Sequence, residues 1–243
     1  DEKTASSDIA IESAKRALAN AGMDASEIDV IICPTITPDY IYPATASLVQ
    51  RAIGADKAWC FDIEAACSGY LYGITIARQF IRSGHYKNIL VIATETLSKI
   101  TDWKDRNTCV LFGDGSAAAV ISAADSEKDG IRATYLGGDG NHERLLRLPA
   151  GGSLNPATEE TVNERMHYMK MEGREVFKAA VNAMNTSARE AMTRAQFSSD
   201  DVDLVIPHQA NMRIIQSVAK FMNVSMEKVY TNLDRFGNTS AAS

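Results

Sequence analysis

No stretch of these 243 residues stays apolar for the roughly 18 positions that a membrane-crossing helix needs. The N-terminus also lacks a charged-then-apolar leader. A cytoplasmic protein without membrane association is expected. Cysteine is scarce: Cys33, Cys60, Cys67 and Cys109 lie far apart, form no CxxC pair and share no zinc-type spacing with histidine. That pattern excludes a disulfide framework and a structural metal, and predicts reduced thiols. Positive charge is in deficit, with 25 Lys and Arg against 31 Asp and Glu for a net charge of −6, and no long run of either sign occurs. A nucleic-acid surface or a charged tail has no support, so any cationic site must be local. The chain opens on DEKTASSD without a methionine and stops at GNTSAAS just after a turn, and it therefore reads as truncated at both ends.

What is present is an ordinary globular composition, 45% hydrophobic and 23% charged, sufficient for one large domain or two smaller ones. Ala10, Ala14, Ala17, Leu18 and Ala21 fall at helical spacing, with serines to start the helix and Gly22 to stop it. The β-branched run IDVIIC predicts a buried strand ended by Pro34 and Pro38. A helix over 43–53, a strand at WCFDI, a helix after Cys67 with Leu71, Ile74, Ala77 and Ile81 on one face, and a strand at NILVIAT follow. CVLFGDGSAAAVISA is expected to form two strands about a Gly-Asp-Gly turn, where small residues permit close backbone approach. From 139 to 167 Gly, Pro, Asn and charges break every period, which predicts a long loop. Beyond it come a helix over 172–195, a strand in VDLVIPHQAN, a helix carrying Ile215, Val218, Ala219 and Met222, a strand near KVYTNL, and a turn opening another helix in DRFGNTSAAS. Alternation of this kind defines an α/β fold.

The chain also matches itself. Sliding it by 174 positions puts Ser13, Ala14, Lys15, Ala17, Leu18 and Ala21 on Ser187, Ala188, Arg189, Ala191, Met192 and Ala195, and EIDVII on DVDLVI. With a small gap, WCFDIEAACSG falls near VYTNLDRFGNTS and brings Cys67 within about a residue of Asn238. Either two like halves are present, or alanine-rich helices and β-branched strands coincide by chance.

Three short motifs concentrate chemistry. EAACSGYLYG sets Cys67 among Ala65, Ala66, Ser68 and Gly69 where a strand-like run gives way to a helix-like one. Small neighbours admit a substrate, and the amides and positive end of the following helix are expected to favour the thiolate. Cys33, Cys60 and Cys109 have no such setting and are expected to be inert. His208 follows a strand and Pro207, where a side chain faces the crevice at the carboxyl edge of a sheet. His85, His142 and His167 have ordinary turn or loop settings. Asn238 follows Gly237 in what is by itself a turn sequence.

EAACSG, PHQAN and GNTSAAS, in that order, resemble the three active-site motifs of the β-ketoacyl-acyl-carrier-protein synthase III family, and DEIDVIICPTITPDYIYPATA and FGDGSAAAVI extend the resemblance over nearly the whole chain. It implies a thiolase-like duplicated fold in α-β-α-β-α layers, with an N-terminal half over 1–125 carrying the nucleophile and an incomplete C-terminal half over 126–243 carrying His and Asn. It also implies a homodimer. The activity implied is a decarboxylative Claisen condensation of an acyl-CoA primer with malonyl-acyl-carrier protein, with no cofactor beyond these substrates. Carried across residue by residue, Cys67 is the nucleophile and His208 and Asn238 are the donors to an enolate. Arg106, Phe177 and Asn211 match contacts along the CoA and pantetheine channel, and Tyr42 matches a residue reaching into the partner's acyl pocket. Lys178, Arg213 and Lys220 match the patch that docks the acidic carrier protein. Where the family has glycine in some members, Asn107 stands here, so Arg106 alone is carried over. A condensing enzyme of specialised polyketide-type metabolism, a cysteine thioester hydrolase and a silent scaffold subunit are the competing readings.

Overall fold

The computed structural model describes residues 2–124, 126 and 129–243, so the expected boundary between halves after position 125 falls on a residue outside those described. Two compact units interleave along the chain: Asp1–Thr96, Asp114–Arg132 and Thr239–Ser243 form the first, Leu97–Gly113 and Ala133–Asn238 the second.

The first unit is built on a four-stranded sheet ordered β2-β1-β3-β4, with β1 (Val30–Pro34) parallel to β2 (Trp59–Ile63) and β3 (Asn88–Thr96), and β3 antiparallel to β4 (Asp114–Ser122). β1 and the middle of β3 are buried on both faces, hence the unbroken β-branched runs. Successive side chains serve opposite layers. Ile31, Cys33, Leu90 and Ile92 meet α1 (Ser6–Ala21) and α2 (Thr45–Ile53). Val30, Ile32, Ile89 and Val91 meet α3 (Gly69–Arg82). Fully burying such side chains stabilises by about 1.5–3 kcal/mol each, an upper estimate against an extended chain. Gly22 ends α1 in the left-handed conformation at φ 60, as its position predicts.

Two expectations change here. Leu71 is 56% exposed, and α3 instead turns Gly69, Gly73 and Ala77 to the sheet. The helix lies too close for larger groups, since a Cβ on Gly73 would stand 2.8 Å from Val91 Cγ1 and 3.2 Å from Pro34 Cγ. The second concerns CVLFGDGSAAAVISA, which contributes one strand, β4, rather than two. Thr108 and Cys109 N–H bond to Asp105 O, and Leu111 N–H to Thr108 O, so this stretch spends those donors on successive turns and keeps one parallel bridge, Phe112 to Asn238.

In the second unit the segment 139–167 is largely irregular as expected, holding the 3₁₀ turn Gly140–His142, β5 (Leu146–Arg147) and the short α4 (Glu159–Asn163); β5 pairs with β6 (Lys170–Met171). α5 (Gly173–Ala195), α6 (Met212–Phe221) and the short α7 (Leu233–Phe236) follow. Ile215 and Ala219 of α6 pack with Val229 and Val205. The strands expected in VDLVIPHQAN and KVYTNL reduce to one parallel bridge, Val205 to Val229. Val205 N–H bonds to Lys228 O at 2.8 Å and Tyr230 N–H to Val205 O at 2.9 Å. The next rung of a parallel ladder would need an N–H from residue 207, and proline has none. Gln209 Nε2 bonds to Tyr230 O instead, at 3.3 Å.

Asp102 accepts from Arg165 Nη2 and, at 3.1 Å, Nε, with Lys170 Nζ at 3.6 Å, tying the 97–113 segment to the end of the irregular stretch. Hydrogen bonding from Arg165 holds its carboxyl well below the usual carboxylate range. A depressed folded-state value stabilises above the unfolded value and is lost as pH falls. Wild-type melting temperature is therefore expected to drop below about pH 4. Asp102→Asn should melt lower at pH 7 and lose that component of the slope, a comparison made by thermal denaturation at several pH values.

The internal match has local structural counterparts. The left-handed cap Gly22 corresponds at the 174 shift to Gln196, φ 59. The capped turns Ala25–Glu27 and Ser199–Asp201 correspond likewise, each with an acidic residue closing its capping box. Ala66 at φ 43 and Ser240 at φ 51 open the 3₁₀ turns Ala66–Ser68 and Ser240–Ala242 at the same shift. Cys67 accordingly corresponds to Ala241, three positions beyond Asn238, which corrects the expected frame. The gapped match ran through two turns where the shift changes, for Gly54 answers to Asn223 at φ 54.

Candidate active site

Cys67 lies in the first unit, on the 3₁₀ turn Ala66–Ser68 between β2 and α3. The turn starts with Ala66 at positive φ, a conformation that costs a side-chain-bearing residue of order 1 kcal/mol or more and marks a constrained position. Directly after it, α3 begins with no side-chain cap on its first amides. Gly69 permits this approach, for a Cβ there would lie 2.8 Å from Pro34 Cβ and 3.1 Å from Ala241 Cβ. The helix end was expected to lower the thiol pKa. Burial instead pushes the Cys67 thiol up, helped by the charge of Glu95 and opposed by hydrogen bonding from Ser240 and from its own backbone. A helix end contributes about 0.3–1 kcal/mol, under one pK unit, so burial prevails. Cys33, fully buried in β1, is pushed well up by burial and by neighbouring carboxylates, in keeping with its inert assignment.

His208 and Asn238 belong to the second unit. Burial pulls the His208 imidazole down to about 4, so it is neutral at physiological pH, and its Nδ1 is buried with no hydrogen-bond partner among the described residues. The turn that holds it is fastened by Gln209, 1% exposed, whose Nε2 bonds to Pro207 O at 2.8 Å and whose Oε1 accepts from Asn232 N–H at 3.0 Å. Gln209 was missed in the sequence, where its only signal is a polar residue inside PHQAN. Asn238 is 8% exposed and held by its backbone, N–H to Leu111 O at 2.9 Å and O from Gly113 N–H at 3.0 Å. Gly237 before it has φ 68, and a Cβ there would stand 3.1 Å from Leu111 O.

The remaining sequence-selected residues are mostly at the surface. Arg106 is exposed on the turn following Asp105. Phe177 is 36% exposed on α5, and Lys178 beside it pairs with Glu175 at 2.9 Å. Asn211 caps α6, its Oδ1 accepting from Ile214 N–H at 3.0 Å. Arg213 and Lys220 are exposed on α6. Tyr42 is 85% exposed beside Ile41 at 89% and Tyr40 at 59%. Among the described residues no group of His, Cys, Asp and Glu is arranged to hold a metal ion, and no helix is long and apolar enough to cross a membrane.

A layered α/β unit with a thiol on the turn entering a helix, joined in one chain to a second unit repeating its local turns, defines a thiolase-like condensing enzyme. Comparison with known proteins narrows the class. The family profile for 3-oxoacyl-[acyl-carrier-protein] synthase III matches residues 61–140 and that for its C-terminal part residues 192–243. The chain is 51% identical over 243 residues to the β-ketoacyl-[acyl-carrier-protein] synthase III of Caldanaerobacter subterraneus subsp. tengcongensis, spanning all of this chain and 73% of that protein. Against the synthase III of Natranaerobius thermophilus it is 50% identical over 245 residues, covering all of this chain and 74% of the relative. The crystal structure of 3-oxoacyl-[acyl-carrier-protein] synthase III from Aquifex aeolicus superposes with a TM-score of 0.89 at 43% identity, over 99% of this chain and 73% of that one. The chain belongs to the β-ketoacyl-[acyl-carrier-protein] synthase III family.

Proposed function

We propose that Cys67, His208 and Asn238 divide between them the two half-reactions of this family's activity, the decarboxylative condensation of an acyl-CoA primer with malonyl-acyl-carrier protein that initiates fatty acid synthesis. The observation that carries the assignment is the Cys67 turn, strained at Ala66 and closely backed by Gly69 against Pro34. The Cys67 sulfur attacks the primer thioester, CoA leaves as thiol, and the acyl group is held while the second substrate binds. Loss of CO₂ from the malonyl group makes a thioester enolate whose oxygen takes hydrogen bonds from neutral His208 N–H and the Asn238 amide. The enolate carbon attacks acyl-Cys67, the C–S bond breaks, 3-oxoacyl-carrier protein leaves, and the released sulfur takes up a proton from solvent to restore the thiol. A neutral imidazole suits a donor placed before charge develops. No step calls on a metal or redox cofactor.

The finer assignments follow the same reading. Arg106, Phe177 and Asn211 would line the CoA and pantetheine path, and Arg213 and Lys220, exposed and seven residues apart on α6, would meet the acidic carrier protein together with Lys178. The exposed Tyr40, Ile41 and Tyr42 suit burial against a second copy, in a cytoplasmic homodimer of duplicated halves over 1–125 and 126–243. The test is purified enzyme with malonyl-carrier protein and a panel of acyl-CoAs. CO₂ release matched by 3-oxoacyl-carrier protein is the expected result. Release of free acid without malonyl consumption would instead mark a thioester hydrolase.

A further inference from the structure

The exposed tip Tyr40, Ile41 and Tyr42 belongs to the loop that joins β1 to α2 in the first unit. Exposed loop tips are ordinarily mobile, yet both ends of this one are fastened by carboxylates. At its start, Asp39 Oδ1 accepts from Ser7 N–H at 2.9 Å and Oδ2 from the Ser7 hydroxyl at 2.5 Å, which ties the loop to the first turn of α1. At its far end α2 begins after Ala44, an N-cap residue with no side-chain oxygen to accept from the free amides of the first turn. Asp62 supplies that cap from β2. Its Oδ2 accepts from Thr45 N–H at 2.7 Å and its Oδ1 from Ala46 N–H at 2.8 Å, so both oxygens are engaged at the entry to α2. Bonds of this kind, from helix amides to an ionised carboxylate, are the stronger class of hydrogen bond. Fully buried Thr45 closes the loop on itself, its Oγ1 accepting from Asp39 N–H at 3.3 Å.

We infer that Asp62 is a positioning residue for primer selection: by capping α2 it holds the Tyr40–Tyr42 tip rigid, so that Tyr42 ends the acyl pocket at a set depth. The inference rests on the reading of Tyr42 as a wall of the acyl pocket in a second copy of the chain. A wall discriminates between acyl chains only if it does not give way. A ring on a loose loop would swing aside for each further methylene, whereas a ring on a loop tied at 39 and at 45–46 turns the same methylene into a clash. Asp62 touches no substrate in this scheme and acts through the entry to α2. Asparagine in its place keeps the shape but offers a single acceptor where two amides point, and sets an NH₂ group against the other N–H.

The test is acyl loading of the purified enzyme from straight-chain acyl-CoAs, lengthened two carbons at a time from acetyl until loading fails. Wild type should show a sharp break at one length. Asp62→Asn should soften it, raising the rate for the first rejected primer relative to the best accepted one by about 10-fold or more, the least that one methylene counts for in a fitted apolar pocket. The rate with the best primer should change far less. Thr45→Val, which removes the acceptor for Asp39 N–H, should shift the ratio in the same direction and carries the test should Asp62→Asn fail to fold. An unchanged ratio in the folded variant, whether or not every primer slows together, overturns the inference, because a cap that only stabilises acts on all primers alike. Tyr42→Ala isolates the underlying reading. A break that survives Tyr42→Ala shows that Tyr42 ends no pocket and removes the basis of the inference; a break lost in Tyr42→Ala but kept in Asp62→Asn sinks the positioning role alone.

Discussion

Cys67→Ala is expected to acquire no covalent acyl group at all from radiolabelled acyl-CoA, whereas His208→Ala and Asn238→Ala should load normally and lose malonyl decarboxylation by about 10²-fold or more, the scale for removing one preorganised donor. The half-reactions separate because they place charge on different atoms. Loading builds it on sulfur and on the thioester oxygen beside the Cys67 turn. Decarboxylation builds it on the enolate oxygen. His208 is held down to about 4 by burial, so it stays neutral as pH falls from 8 to 6 and gains a proton only near 4. Decarboxylation should accordingly show no inflection near the ordinary histidine value of about 6.5. An Asn238→Ala enzyme that decarboxylates normally and fails only at loading would remove the enolate role. It would favour the hydrolase reading, in which asparagine orients the histidine.

Gly69→Ala is the second change with a large expected effect, although it adds one methyl group and touches no reacting atom. The new Cβ would meet Pro34 Cβ at 2.8 Å and Ala241 Cβ at 3.1 Å. Pro34 lies in a fully buried strand and cannot swing aside, so α3 and the Cys67 turn must move. Overpacking of this kind costs typically about 1–3 kcal/mol. A displacement near 1 Å at a nucleophile costs about 10²-fold in rate. Loading should fall on that scale, with a lower melting temperature. Gly140→Ala, where nothing lies within 4 Å of the added Cβ, should do neither. Wild-type loading by a folded Gly69→Ala enzyme would show that the close packing of the turn is not needed.

The elements of the first unit were legible because each is dictated by its own period. Ala10, Ala14, Ala17 and Leu18 make α1 amphipathic, Gly22 stops it, and β-branched residues fill β1 and β3. The motifs around Cys67, His208 and Asn238 were legible for a related reason, being short runs whose residue types are unusual together. Three matters depended on residues far apart in the chain. Leu71 was misplaced because the side α3 buries is set by Gly69 and Gly73 lying against Pro34 and Val91, a packing distance no helical period contains. VDLVIP has the composition of a strand, but a strand exists only through its partner, and the ladder to 228–230 runs out at the missing N–H of Pro207. The protonation states were furthest from reach. A charged residue inside the apolar run NILVIATET was the one visible sign of Glu95. Its donors come from residues 35–37, and it is their assembly about a buried carboxylate, together with the partial burial of Cys67 and His208, that shifts how firmly these groups hold protons. Composition and spacing carried the elements of the first unit, and three short motifs carried the resemblance from which the family and the proposed reactive side chains follow. Desolvation, a sum over everything folded around a group, determined their acidities and is a property of the tertiary structure alone.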